Sequence, residues 1–324
     1  MATEIDTPIF SDAAFTFESG DVEITALYNG EVFKGCVVSG AMALASPVWR
    51  KFIFPPWYTQ EGQGGMPTTI PKDDGQGGHR RSASPASKNN NGQKPPVVSL
   101  NFCDDDSVAL LILLRLVHFK TKDTPTKLPY ELLLNIAILV DKYDCIDLVR
   151  PWVSSWFLSE EMDSKVQGHV GWLFIAWVFG REKVFTDLAT TLVREVALGP
   201  GLIPLTSSGG AFPEPMPPGI LENILAIRLE VIEKLFDLPY SQVTRFENNS
   251  NVLCQQGSNP ACDAIIYGSL LRSLQRVDLW PRKDPKVLRT SVNDLAIVIR
   301  ALKVHILPPN SHNNSYDYHN HYNR

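Results

Sequence analysis

The 324-residue sequence predicts an α+β protein, with a short mixed sheet flanked by helices and then a mostly helical C-terminal region. Three observations carry that expectation: two alternating segments joined by Asn29-Gly30, a Ser46-Pro47 step between two short helical stretches, and helical spacing that recurs from Val108 to Val304. In the first, Val22, Ile24, Ala26 and Tyr28 recur at period two, Asn29-Gly30 is a pair suited to closing a hairpin, and Val32 opens a second apolar-rich run. In the second, Ser39 to Ala45 is small, apolar and helix-compatible, and Ser46 followed by Pro47 reads as an N-cap with proline at the first helical position. Proline's missing N–H costs nothing there.

Helical spacing follows a third strand, predicted at Val97 to Phe102. Asp104, Asp105, Asp106 and Ser107 read as capping groups for the positive end of a helix dipole. A divalent cation is the weaker reading of the three acids, because consecutive side chains diverge. Val108 to Val117 is apolar nearly all round and too short to span a membrane, which places it in a core. Leu132, Leu133, Ile136, Ala137 and Val140 form an amphipathic stripe that ends in Asp141-Lys142-Tyr143-Asp144-Cys145. Leu148, Val149, Trp152, Val153 and Trp156 repeat that spacing, with Pro151 expected to kink or restart the helix. Beyond them, Trp172, Ile175, Ala176 and Phe179 share a face that Phe185, Leu188, Ala189 and Leu192 continue up to a stop at Gly199-Pro200-Gly201. A Pro-rich bridge over 202–219 precedes a helix through Ile224, Ile227, Ile232 and Leu235, and Ala264 to Leu274 and Val292 to Val304 add two more.

The segment around Leu44, Ser46, Pro47 and Trp49 resembles the Leu-x-x-Ser-Pro-x-Phe signature of the BTB/POZ family. The order of strand, acidic cap, buried helix and amphipathic helix ending in Asp141, Lys142 and Tyr143 resembles the second half of the same domain. More narrowly, Val140 to Tyr143, Ile175 to Gly180, Gly268 to Leu271 and Leu279-Trp280-Pro281 are similar to blocks of uncharacterised BTB-domain proteins from filamentous fungi. The resemblance implies a non-catalytic protein–protein interaction module. Its implied partner is either a second copy, in a homodimeric scaffold, or another protein that it recruits, with a cullin-type ubiquitin ligase as one alternative. One departure stands out: Gly35-Cys36-Val37-Val38 follows Phe33-Lys34 where many relatives carry a His-Lys pair, so a dimer surface borrowed from animal relatives does not transfer directly.

Composition sets the frame. A chain of this length, 44% hydrophobic and 20% charged, is expected to form two domains. The expected layout is a flexible N-terminus at 1–14, a BTB/POZ-like domain at 15–160 with a disordered insertion at about 58–94, a helical domain at 165–307 and a disordered polar tail at 308–324. A formal net charge of −5 without a repeating Lys/Arg stripe argues against nucleic-acid binding. No stretch is apolar for long enough to imply a membrane partner. The acidic N-terminus lacks the pattern of a signal peptide, and five cysteines without paired spacing suit a reducing compartment, so cytoplasm or nucleus is expected.

Motifs for catalysis and cofactor binding are absent from the sequence: it holds no phosphate loop, nucleophile elbow, His-Glu-x-x-His or Cys-x-x-Cys. No enzyme activity, cofactor or catalytic residue is therefore expected. Two weaker constellations remain. Cys254 and Cys262 bracket a polar turn and, with His305, offer a zinc set that would stabilise a C-terminal domain of unrecognised activity; the alternative is a pair of thiols lining the turn. Ser82 and Ser84, beside Arg80-Arg81, are either part of a solvated loop or phosphorylation sites that switch partner binding.

Overall fold

The computed structural model describes residues 11–55, 98–166, 168–255 and 258–307. The chain divides into two compact units, Met1–Leu158 and Ser159–Arg324. The class is α+β, as the sequence predicts, with a three-stranded sheet in the first unit and a two-stranded one in the second.

In the first unit β1 (Val22–Tyr28) pairs antiparallel with β2 (Glu31–Val37), from Val22↔Val37 to Tyr28↔Glu31. The turn is the one that Asn29-Gly30 demands: both residues have positive φ, 51° and 84°, which gives the hairpin a twist matching its strands. The alternating residues Val22, Ile24 and Ala26 are buried, so the period-two face is the core face. After α1 (Ser39–Ala45) and α2 (Pro47–Ile53), β3 (Ser99–Phe102) lies parallel to β1 on its other side, giving the order β2-β1-β3. The carboxylate of Asp21 starts α1 from outside, accepting from both Ser39 N (2.7 Å) and Ser39 Oγ (2.6 Å), and these bonds hold its pKa below the ordinary carboxylate value.

The expected flexible N-terminus requires correction at its inner end. Asp12–Phe15 is a 3-10 turn, Asp12 Oδ1 accepts from Lys34 N (2.8 Å), and Phe17 N donates to Cys36 O (2.8 Å), so this segment covers the outer edge of β2. Gly35 makes the approach possible, because a Cβ there would collide with the Phe15 carbonyl. Residues 1–10, the expected insertion at 58–94 and the tail at 308–324 lie outside the described residues.

Among the described residues of this unit three more α-helices follow, α3 (Ser107–Val117), α4 (Tyr130–Tyr143) and α5 (Ile146–Trp156). The α3 helix is buried almost throughout, as its all-round apolar sequence requires. Pro151 does not restart α5, which runs through it as one helix. Its ring removes the N–H that would bond the Asp147 carbonyl, but both residues are exposed and water can substitute. Of the cysteines described in this unit, Cys145 is buried, whereas Cys36 and Cys103 are half-buried.

The second unit contains α6 (Glu160–Asp163), α7 (Trp172–Val178), α8 (Glu182–Glu195), β4 (Ala197–Leu198), β5 (Pro204–Leu205), α9 (Ile220–Glu247), α10 (Pro260–Arg276) and α11 (Val292–Arg300). The face expected to run on from Trp172 to Leu192 is broken at Gly180, whose φ of 64° ends α7 in a left-handed turn. The Gly199-Pro200-Gly201 stop is the tip of a hairpin, with Ala197 opposite Leu205 and Leu198 opposite Pro204. The long α9 serves two apolar clusters. Ile224 packs with Leu173, Leu192, Val193 and Val196, and Ile232, Phe236, Tyr240 and Val243 pack with residues of α10 and α11. Among the described residues no helix is long and apolar enough to cross a membrane.

Candidate functional site

Of the sequence-motif residues of the first unit, Ser46, Trp49 and Tyr143 are buried together, whereas Leu44, Pro47, Asp141 and Lys142 are exposed. Ser46 caps α2 by accepting from Trp49 N (3.0 Å) while its hydroxyl donates to the Tyr143 carbonyl at the end of α4 (2.5 Å). One side chain thus closes a helix start and a helix end together, satisfying orphan groups of both. Trp49 is fully buried with its ring 5.0 Å from that of Tyr143, and its indole N–H has no acceptor among the described residues, so the position uses its bulk. Pro47 occupies the first turn of α2.

Asp105 is the hinge of this arrangement, and it does not serve as a helix cap. Asp106 does the capping of α3, its side chain accepting from Ala109 N (2.8 Å). Asp105, with a side chain only 2% exposed, accepts from Lys142 Nζ at 2.5 Å and from the Tyr143 hydroxyl, while Lys142 remains 47% exposed. Asp141 points outward, its carboxyl raised above the usual range by partial burial and then by neighbouring Asp144. Burial, followed by the bond to Asp105, raises Tyr143 well above the ordinary phenol value, and burial pushes the Cys145 thiol up to about 12.

His118 locks the sheet to α3. Its Nδ1–H donates to the Leu114 carbonyl (2.7 Å), Nε2 accepts from Val38 N (3.0 Å), and the ring stacks on Phe17 with centroids 3.9 Å apart. That pattern requires a neutral ring, and burial, the largest influence, lowers its pKa below the ordinary histidine value. The folded value lies below the unfolded one, so the stability this adds is complete above about pH 6.5 and disappears as pH falls through the folded pKa. The expected result is a melting temperature that falls more from pH 7 to pH 5 in the wild type than in His118→Gln, checked by calorimetry on both proteins across that range.

The groove between α1 and the ends of α3 and α4 is one part of this unit that faces outward with apolar side chains, as Val32, Phe52 and Phe54 do elsewhere. Its volume is about 470 Å³, and Leu44, Pro47, Leu116, Phe119, Ile146 and Leu148 are among its lining residues. Leu44 is 82% exposed and Phe119 86% exposed. Phe119 also occupies a costly backbone position. It follows the α3 C-cap with φ of 58°, and Lys120 N donates back to Arg115 O (2.8 Å), which is the left-handed termination normally filled by glycine. A bulky residue there costs about 1–2 kcal/mol of backbone strain.

Compared with protein-family models, with curated proteins and with solved structures, the chain matches none.

The remaining sequence candidates separate. Ser82 and Ser84 lie outside the described residues. Cys254 and Cys262 are brought side by side, the residues next to them being joined by the Leu253 N–Asp263 Oδ2 bond. His305 does not join them: it is exposed, and its backbone N–H donates to Ser269 Oγ (2.9 Å), about two helical turns from Cys262 along α10. Among the described residues no three His, Cys, Asp or Glu side chains are grouped to hold a metal ion, so the zinc set of Cys254, Cys262 and His305 is not assembled. Leu44 and Pro47 are the sequence-motif residues that line this groove. Phe119, its counterpart across the groove, was missed; the signal available was a phenylalanine just past the end of an apolar helix.

Proposed function

We propose that the first unit is a BTB/POZ-like domain and that the protein works by non-catalytic protein–protein association, with the groove carrying Leu44 and Phe119 as its docking surface. The observation that carries this reading is Phe119. An aromatic ring held almost fully in solvent, at a backbone position where glycine would be more stable, is retained at a cost that an interaction would offset. The β2-β1-β3 sheet with one parallel pair, the paired short helices joined at Ser46-Pro47 and the Ser46–Tyr143 link support the family assignment, because they fit the order of elements on which the resemblance rests. The proposed partner is another protein, a second copy of the chain or a recruited one. Aliphatic and aromatic lining of this kind favours apolar side chains over small charged ligands.

The test compares wild type with Phe119→Gly and Leu44→Asp, using light scattering at micromolar concentration together with affinity capture from native extract. Burying a leucine or phenylalanine contributes about 1.5–3 kcal/mol, so each change is expected to weaken association roughly 10- to 100-fold. Phe119→Gly is expected to leave the melting temperature unchanged or to raise it, since the backbone strain is relieved. A wild type that is monomeric and captures the same proteins as both variants overturns the proposal.

A further inference from the structure

Cys254 and Cys262 are brought together by the chain around them. Leu253 N donates to Asp263 Oδ2 (2.6 Å), pairing the residue before one cysteine with the residue after the other. Asn259 caps α10 by accepting from Ala261 N (3.0 Å), and Cys262 N donates to Asn259 O (3.1 Å), which fixes Cys262 in the first turn of that helix. The two thiols are neighbours, and no disulfide joins them. Their surroundings differ. Cys262 is buried, whereas Cys254 is half-buried and lines an open cavity of about 360 Å³ with Gln242, Arg245 and Asp263. Asp263 Oδ1 is buried without a hydrogen-bond partner among the described residues, so this cavity holds an acceptor for a small O–H donor.

We propose that Cys254 and Cys262 form a reversible disulfide in the second unit, with a hydroperoxide as the oxidant. The Cys254 thiolate attacks one peroxide oxygen and the O–O bond breaks. The departing oxygen leaves as water or an alcohol with the proton that Cys254 gave up, and Cys254 becomes a sulfenic acid. Cys262 sulfur then attacks Cys254 sulfur: the S–S bond forms, the S–O bond breaks, and hydroxide leaves as water with the Cys262 proton. Two electrons pass from the sulfur pair to the peroxide. A thiol such as glutathione reverses the bond by exchange. The order follows from access, because Cys254 faces the cavity and Cys262 does not. Burial also raises the Cys262 thiol above its ordinary value, which makes it the poorer first nucleophile.

The experiment treats the full chain with hydrogen peroxide, alkylates the remaining thiols and maps peptides without reduction. A Cys254–Cys262 cross-linked peptide is expected, with titratable thiols falling from five to three and returning to five after dithiothreitol. Cys262→Ala is expected to accumulate a dimedone-trappable sulfenic acid at Cys254, and Cys254→Ser to leave Cys262 as a thiol. Cys254 passing to sulfinic acid in the wild type without the cross-link overturns the proposal. So does Cys254 remaining unmodified at peroxide levels that oxidise Cys36 or Cys103, or pairing with a cysteine other than Cys262.

Discussion

Asp105→Ala is expected to destabilise the first unit by about 3 kcal/mol, while Asp104→Ala is expected to cost almost nothing and Asp106→Ala about 1 kcal/mol. Three adjacent, chemically identical residues separate this widely because the structure gives them different partners. Asp104 is exposed, Asp106 satisfies one N–H of α3, and Asp105 receives Lys142 and the Tyr143 hydroxyl. Removing Asp105 deletes two bonds to an ionised acceptor and leaves the buried phenol of Tyr143 without its acceptor, a penalty of about 1–3 kcal/mol for the phenol alone. Relief of carboxylate desolvation offsets part of this loss. The half-exposed ammonium of Lys142 turns to water, so Lys142→Ala is expected to cost less than about 1 kcal/mol. Urea unfolding, with hydrogen exchange read on peptides of the first unit, measures the series. Equal effects for all three aspartates would show that Asp105 is no more than another helix-start acid. In a double-mutant cycle, Tyr143→Phe is expected to remove most of the penalty, since the phenol is then no longer stranded.

The Asp105 result marks a limit on what the sequence reveals. Alternation at Val22, Ile24 and Ala26 identified the buried face of β1, Asn29-Gly30 its turn, and Ser46-Pro47 the junction of two helices, because in each case the cause lies within a few residues of the effect. Which of three consecutive acids turns inward is decided by Lys142 and Tyr143, 37 and 38 residues away, and no local pattern encodes that direction. The hairpin of β4 and β5 escaped notice because two-residue strands are too short to show a period. Gly180 is hard to read from the sequence because the segments on both its sides carry helical apolar spacing, and only the backbone shows the left-handed turn between them. At the groove, Leu44 was legible as part of a motif, but its exposure was not: a leucine between two alanines in a short helix reads as interior until the neighbouring elements are placed. The thiol pair was legible as spacing, whereas the distinction between two neighbouring thiols and a three-ligand metal site required the path of the chain through His305.

Arg228 has the same origin in distant contacts and leads to the second large effect, an expected loss of about 3–5 kcal/mol from the second unit in Arg228→Ala. On α9 it is one charged residue in an otherwise ordinary amphipathic pattern, yet it is only 2% exposed. Its guanidinium donates to Val196 O (3.1 Å), Leu288 O (2.9 Å) and Thr290 O (2.5 Å), carbonyls that belong to the approach to β4 and the approach to α11. A direct bond from Leu198 N to Arg289 O (2.8 Å) joins the same two segments. Burial draws the guanidinium below its ordinary pKa, but its basicity keeps it charged, so the cation is stabilised by backbone dipoles in place of a carboxylate. Truncation strands three carbonyls at once, the Val196 one at a buried bond and the Leu288 and Thr290 ones at part-buried bonds, and unpaired acceptors shielded from water are expensive. Arg228→Lys is expected to recover less than half of the loss, since a single ammonium cannot reproduce a planar fork reaching three oxygens in two segments. Added salt is expected to change the Arg228 contribution little, unlike that of the exposed pairs Lys234–Glu230 and Arg282–Asp237, because the bonds are wholly or partly buried and involve no counter-charge to screen. The discriminating measurement is hydrogen exchange at Leu198 and along α11. If the three bonds act as a staple, Arg228→Ala speeds exchange in both places together; if the residue contributes only packing, Arg228→Met restores the wild-type rates.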